Sequence, residues 1–164
     1  MIILGIDPGI ARVGWGLIKE EKGKQEVIDF GCFETLSTST LDIRLLQVNE
    51  FISGLIRKHK PNILAVEQLY FGANAKTALI VGHSRGVIIL TAAQNNLQTV
   101  SYTPLQVKMA LTGYGRADKK QIQSLVKSIL KLPKPLTQDD TADALAVALT
   151  HAFSYKLHGI IQSK

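Results

Sequence analysis

The chain has 164 residues, 46% of them hydrophobic and 20% charged, which is enough for one packed core and excludes a disordered polyelectrolyte. A single cysteine, Cys32, excludes an intramolecular disulfide and a thiolate metal cluster, no stretch approaches the roughly 18 apolar residues of a membrane span, and MIILGID lacks the basic start of a signal peptide, so a reduced, cytoplasmic protein is expected. The formal net charge is +6, and residues 101–138 hold the whole excess, with Lys108, Arg116, Lys119, Lys120, Lys127, Lys131 and Lys134 set against Asp118 alone: the footprint of a phosphate-binding face, or of a solvated lysine-rich helix.

In chain order, IILGID predicts a first strand, apolar until Asp7 at its end, with Pro8-Gly9 turning the chain away. VGWGLI predicts a second strand, EEKGK a hairpin turn and VIDFGCFETL a third strand. LDIRLLQVNEFISGLIRKH repeats apolar residues at Leu45, Val48, Ile52, Leu55 and Ile56, a helical period that Pro61-Asn62 closes. ILAVEQ is a fourth strand. ANAKTALIVGHSRGVIILTAAQNN is a long helix in which Gly82 and Gly86 admit close packing. Its Ile80, Val81, Ile88 and Ile89 suit either a subunit interface or the chain's own core. LQTVSY predicts a fifth strand, and Pro104 opens a helix through Leu111. After a TGYGRA loop come the helix DKKQIQSLVKSILK, a break at LPKPL and a last helix from near Thr137.

Short turns join the first three strands and imply antiparallel pairing, whereas helical crossovers to the later strands imply parallel pairing. The expected architecture is α/β: a five-stranded mixed sheet flanked by helices, one domain over residues 1–158 and a tail over 159–164. GIDPG lacks the GxGxxG spacing of a dinucleotide site.

Strand alternation puts Ile3, Gly5 and Asp7 on one face, and Ile63, Ala65 and Glu67 likewise. As parallel neighbours these strands would set Asp7 beside Glu67, with Gly5 and Ala65 leaving room above. TQDDTADALAVALTHAF can fill that room. Thr137 and Asp140 have capping-box spacing, and acids suit a first helical turn, which gives Asp139 and Asp140 an ordinary structural reading. Asp143 sits in a run of alanine, leucine and valine that should be buried. Either the three segments carry separately satisfied carboxylates, or the acids converge and require a cation. Oxygen-only ligands favour Mg²⁺ or Mn²⁺, and two such ions roughly 4 Å apart can clamp a phosphodiester.

"GIDPG" with "GWGLI", "AVEQLYFGANAKTAL", "GHSRGV", "VK" before "GYGRADKKQIQ", and "LTQDDTADALAVALTH" together resemble the RuvC family of Holliday-junction resolvases, in order and spacing, from residue 1 to about residue 155. The resemblance implies a ribonuclease H-like fold and a homodimer. It also implies Mg²⁺-dependent paired nicking of four-way DNA junctions in recombination and repair, beside a junction-binding protein (RuvA) and a branch-migration motor (RuvB). Its catalytic, metal-holding carboxylates match Asp7, Glu67, Asp140 and Asp143, leaving Asp139 to capping or support. Tyr70 matches an aromatic that meets unstacked bases, and the alternative is that Tyr70 or Phe71 simply packs. Lys108 and Lys119 match basic residues near the scissile phosphate. Arg116 and Lys120 are further DNA-binding candidates from the basic segment. Arg85 is either DNA-facing or part of its helix surface; His151 reads as structural, and His83 is unassigned. Three other readings stand beside this one: a nuclease of the same fold acting on structured RNA, a sugar-kinase or actin-like phosphate-binding lobe suggested by the D-x-G of GIDPG, and a purely structural DNA-binding role, which leaves the buried acids unexplained.

Overall fold

The computed structural model describes residues 1–68, 75–133 and 138–162. Five strands, β1 (Ile2–Asp7), β2 (Arg12–Glu21), β3 (Lys24–Glu34), β4 (Ile63–Glu67) and β5 (Thr99–Tyr102), form one sheet in the order β3-β2-β1-β4-β5. β1–β2 and β2–β3 pair antiparallel, and β1–β4 and β4–β5 pair parallel, as the connections require. The β2–β3 turn has Lys22 and Gly23 both at positive φ, the backbone of a tight hairpin that follows the sheet's own twist. The helices are α1 (Leu41–His59), α2 (Ala75–Gln94), α3 (Pro104–Thr112), α4 (Lys119–Ile129) and α5 (Asp139–Gln162). Side chains of residues 75–77 and 156–162 are outside the description.

The sheet separates two cores. Leu4, Ile6, Val13, Leu17, Leu64 and Val66 point towards α1 and α2, where they meet Val48, Ile52, Ile88 and Ala92. Trp15 and Phe33 pack on Phe51 at the rim of this core. Ile3, Ile18, Ile63 and Ala65 point the other way, onto α3, α4 and above all α5. α3 and α4 each begin with a complete capping box, Thr103 with Gln106 and Asp118 with Gln121. These boxes satisfy backbone donors that would otherwise be orphaned, and they fix where the basic segment starts. The corresponding reading at the last helix used Thr137, which lies outside the described residues; α5 is seen from Asp139.

α5 lies on β1 and β2 at backbone distance. A Cβ added at Gly5 would run into the Ala144 carbonyl and come within 2.8 Å of Ala148 Cβ, and one at Gly14 would run into the Asp140 carbonyl. Small residues on both sides thus let helix backbone rest on strand backbone.

Of the two readings of α2, the chain's own core holds for Ile88, which is fully buried between α1 and α2, and Ile89 is partly buried against the same core. The large apolar side chains that α2 exposes are Leu79 and Leu90. An added Cβ at Gly86 would meet open space, so that glycine is not there for packing within the chain.

Gly5→Ala is expected to lower the unfolding free energy by about 1–3 kcal/mol, the usual cost of overpacking. Gly54→Ala on α1, whose added Cβ meets nothing, should be neutral or stabilising by up to about 1 kcal/mol through helix propensity. Urea unfolding of both variants checks this; wild-type stability in Gly5→Ala would contradict the backbone contact.

Candidate active site

The β1–β4 register pairs Gly5 with Ala65 and Ile6 with Val66, so Asp7 and Glu67 come next, side by side at the carboxyl edge of the sheet. β2 places Gly14 opposite Asp7 on the other side. Above this corner the first turns of α5 deliver Asp140 and Asp143. The three segments carrying acids therefore converge, and the charges of Glu67, Asp143 and Asp140 all act on Asp7.

The electrostatics follow from that crowding. Burial raises the Asp7 carboxyl to about 8, with help from the charges of Glu67, Asp143 and Asp140. Glu67 is raised by burial and then by Asp143, and Asp143 by burial against the pull of Lys119. Like charges in one partly buried place favour the protonated form of whichever group is most enclosed.

Two cations answer part of this field. Lys119 Nζ stands 2.9 Å from Asp143 and 3.3 Å from Asp139, and Arg12 Nε stands 3.3 Å from Asp140. Burial opposes the charge on Lys119, but its hydrogen bonds to Asp143 and Asp139 outweigh that and raise its pKa. Lys119 is the first residue of α4, where the helix dipole disfavours a cation. The acids of α5 compensate for that placement.

Asp139 stands apart from the cluster. It is exposed, accepts a 2.8 Å hydrogen bond from Gln123, and is held below the usual carboxylate range by Gln123 and Lys119. Its side chain is turned towards α4 and holds Lys119, whereas Asp140 and Asp143 are half-buried with Asp7 and Glu67.

A cleft of about 180 Å³ opens beside the acids, lined by Glu67, Asp143, Lys108 and Lys119 with Pro104, Val107, Ile122 and Ala146. Lys108 and Lys119 are therefore brought to the acid cluster. Arg116 and Lys120 are exposed, Arg116 on the loop before α4 and Lys120 in its first turn. Arg85 donates to the Glu67 carbonyl at 3.2 Å and to Ser101 Oγ at 2.7 Å. Tyr70 and Phe71 lie outside the described residues. His151 is buried with Nδ1 2.7 Å from the Tyr102 hydroxyl, and burial lowers its pKa; His83 is exposed on α2. Burial raises the Cys32 thiol, which does not favour a nucleophilic thiolate.

Sequence reasoning missed Arg12, although it is the sole basic residue before Lys19 and follows Asp7 across one turn. It also missed Gln123, the last residue of GYGRADKKQIQ, to which it gave no role.

Among the described residues, no three His, Cys, Asp or Glu side chains are already drawn together tightly enough to hold a metal ion. The donor set nevertheless fits a hard divalent cation: four carboxylates, oxygen only, with one acid raised to about 8 by burial and its neighbours. A cation would relieve that repulsion directly.

The family described as "Crossover junction endodeoxyribonuclease RuvC" matches residues 3–151. A protein of that name from Caldicellulosiruptor saccharolyticus is 51% identical over 158 residues, covering 94% of this chain and 93% of the relative. Among solved structures, Thermus thermophilus RuvC in complex with a Holliday junction substrate superimposes with a TM-score of 0.92 at 30% identity, covering 96% of each chain. The yeast mitochondrial Holliday junction resolvase Ydc2 shares the fold, with a TM-score of 0.70 at 13% identity over 99% of this chain and 84% of that one.

Between 3.8, the ordinary carboxyl value, and about 8, native Asp7 keeps a proton that the unfolded chain has released. The native state then binds more protons, so stability falls as pH rises across that window. Glu67 and Asp143, also raised, act in the same direction. Urea midpoints in chelator should therefore drop between pH 5 and pH 8 in the wild type and drop less in Asp7→Asn. Equal drops would contradict the crowded-acid geometry.

Proposed function

The chain belongs to the RuvC family of crossover junction endodeoxyribonucleases, and from that premise we propose that it resolves four-way DNA junctions by paired, symmetric, metal-dependent nicks leaving 5′-phosphate and 3′-hydroxyl ends. The observation that carries this is the meeting of Asp7, Glu67, Asp140 and Asp143 at one sheet corner, with Lys108 and Lys119 in the same cleft.

Asp7, Glu67, Asp140 and Asp143 would hold the cations, Mg²⁺ with Mn²⁺ able to substitute and two per site. Bound there, the ions supply Lewis acidity, making an attacking water more acidic and stabilising the leaving 3′-oxygen. The remaining work falls to the chain's own groups. Lys108 and Lys119 line the cleft as point charges able to neutralise the scissile phosphate. Arg116 and Lys120, both exposed within the chain's basic segment, extend that field along the DNA backbone. Tyr70 is the candidate for stacking on an unpaired base. No Ser, Cys or His is needed as a nucleophile, and the buried, hydrogen-bonded His151 is not required for proton transfer.

Two cuts related by symmetry call for two copies of the site, which a two-fold homodimer supplies. The outward stripe of α2, with Leu79 and Leu90 more than half exposed and Gly86 open, is the surface offered for it. The junction is expected to reach the enzyme from a junction-binding protein (RuvA) and a branch-migration motor (RuvB), in cytoplasmic recombination and repair. Among the described residues no helix is long and apolar enough to cross a membrane.

A synthetic immobile junction tests the chemistry. Wild type should nick it in Mg²⁺ and not in chelator. Asp7→Asn and Asp140→Asn should lose at least 100-fold in rate with junction affinity kept, while Asp139→Asn loses far less. Near wild-type cutting by Asp7→Asn would refute the cation site. Duplex DNA and structured RNA as competitors distinguish the substrate. Sedimentation velocity tests the assembly: wild type should run as a dimer and Leu90→Glu as a monomer. A monomeric wild type across micromolar concentrations would argue against the α2 interface.

A further inference from the structure

The GHSRGV segment of α2 supplies none of the carboxylates, yet two of its residues reach the ends of two catalytic strands. Ser84 is fully buried, and its hydroxyl donates to the carbonyl of Gly9 at 2.7 Å, in the turn two residues beyond Asp7. The next residue, Arg85, donates from Nε to the carbonyl of Glu67 at 3.2 Å and from Nη2 to Ser101 on β5 at 2.7 Å. We infer that Ser84 and Arg85 are positioning residues, which hold the backbone under Asp7 and Glu67 so that the two carboxylates stay within reach of a shared cation. The inference rests on the reading of the acid cluster as a nuclease centre.

A strand end is where this support matters. Glu67 is the last residue of β4, and the following amide is tied on one side by Gln68 N to the Tyr102 carbonyl at 2.8 Å. The Arg85 fork meets the peptide carbonyl of Glu67 itself and anchors it to β5. Holding that peptide keeps the strand end, from which the Glu67 side chain projects, paired to β5. A guanidinium suits the task because its donors lie in a fixed plane and bind two acceptors at once. At β1, the Gly9 turn is already tight, since a Cβ there would strike the Arg12 carbonyl. Ser84 satisfies its remaining carbonyl from below.

The brace is itself rigid. α2 is anchored by Ile88, Thr91 and Ala92, all fully buried. Consecutive residues of one helix thus fix two strand ends that come from distant parts of the chain. Two of the Arg85 donors are engaged by protein acceptors, which weighs against its role as a free contact for DNA.

The test compares wild type with Arg85→Ala, Arg85→Lys, Ser84→Ala and Ser101→Ala. It uses three readouts: Mn²⁺ affinity of the free protein by calorimetry, single-turnover cleavage at saturating enzyme, and junction affinity with its salt dependence in Ca²⁺. Arg85→Ala should weaken Mn²⁺ at least 5-fold and slow cleavage at least 10-fold, with junction affinity within twofold and an unchanged salt slope. Arg85→Lys, able to keep one of the bonds, should recover part of both losses, and Ser84→Ala should move both in the same direction. Should Arg85→Ala fail to fold, Ser101→Ala, which removes one acceptor of the fork, is expected to show the smaller version of the same split. Unchanged Mn²⁺ affinity with a tenfold loss of junction binding and a shallower salt slope would overturn the inference in favour of a DNA contact. No change in any readout would overturn it as well. A wild type that neither binds Mn²⁺ nor cuts the junction would overturn the nuclease reading itself, and this inference with it.

Discussion

Gly5 on β1 and Gly14 on β2 leave no side chain between the sheet and α5, so helix backbone rests on strand backbone. Every other feature of the site depends on that contact. With a Cβ at either position the helix would be pushed outward, and Asp140 and Asp143 would no longer stand over Asp7. The alanines of α5 serve the same end from the other side, and the fully buried Ala144 and Ala148 face Gly5 directly. The chain gives up side-chain packing at these positions, along with the hydrophobic stabilisation it would bring, and places charge there instead.

The charge so assembled is only partly compensated. Four carboxylates face two cations, and both cations are more than half exposed. Such pairs contribute little to stability, because solvent screens them and ordering a long side chain costs entropy. Lys119 and Arg12 are therefore counterions to the acids rather than braces for the fold. Lys119 in particular sits where its own helix opposes it, in the cleft that Glu67 and Asp143 also line. The surroundings of α5 thus form a field waiting for a stronger cation, held in place by uncharged backbone contacts beneath.

Much of this was legible in the order of the elements. Alternation along two short strands sets Asp7 beside Glu67 once those strands are parallel neighbours, an arrangement the helical crossover between them favours. The span of α1 follows from one apolar period and is found from Leu41 to His59. Asp139 and Asp140 could not be told apart by spacing, because three and four residues before Asp143 both lie on one helix face. Tertiary contacts separate them: Asp140 rests over Gly14 and pairs with Arg12, and Asp139 turns to Gln123. α2 stayed open between interface and core for a related reason. It is apolar nearly all round, so periodicity did not reveal that Ile88 faces inward while Leu79 and Leu90 face out. Arg85 has a side chain long enough to reach solvent or strand, and only the position of β4 and β5 decides between them.

Whether the four carboxylates share one cation site decides the role of this sheet corner. Anomalous diffraction from crystals soaked in Mn²⁺ addresses this without DNA or turnover. Anomalous density is expected within ligand distance of Asp7, with Glu67, Asp140 or Asp143 completing the shell and Lys119 displaced from Asp143. Manganese bound elsewhere, or no density at this corner with Lys119 still on Asp143 at saturating Mn²⁺, would contradict a shared cation site.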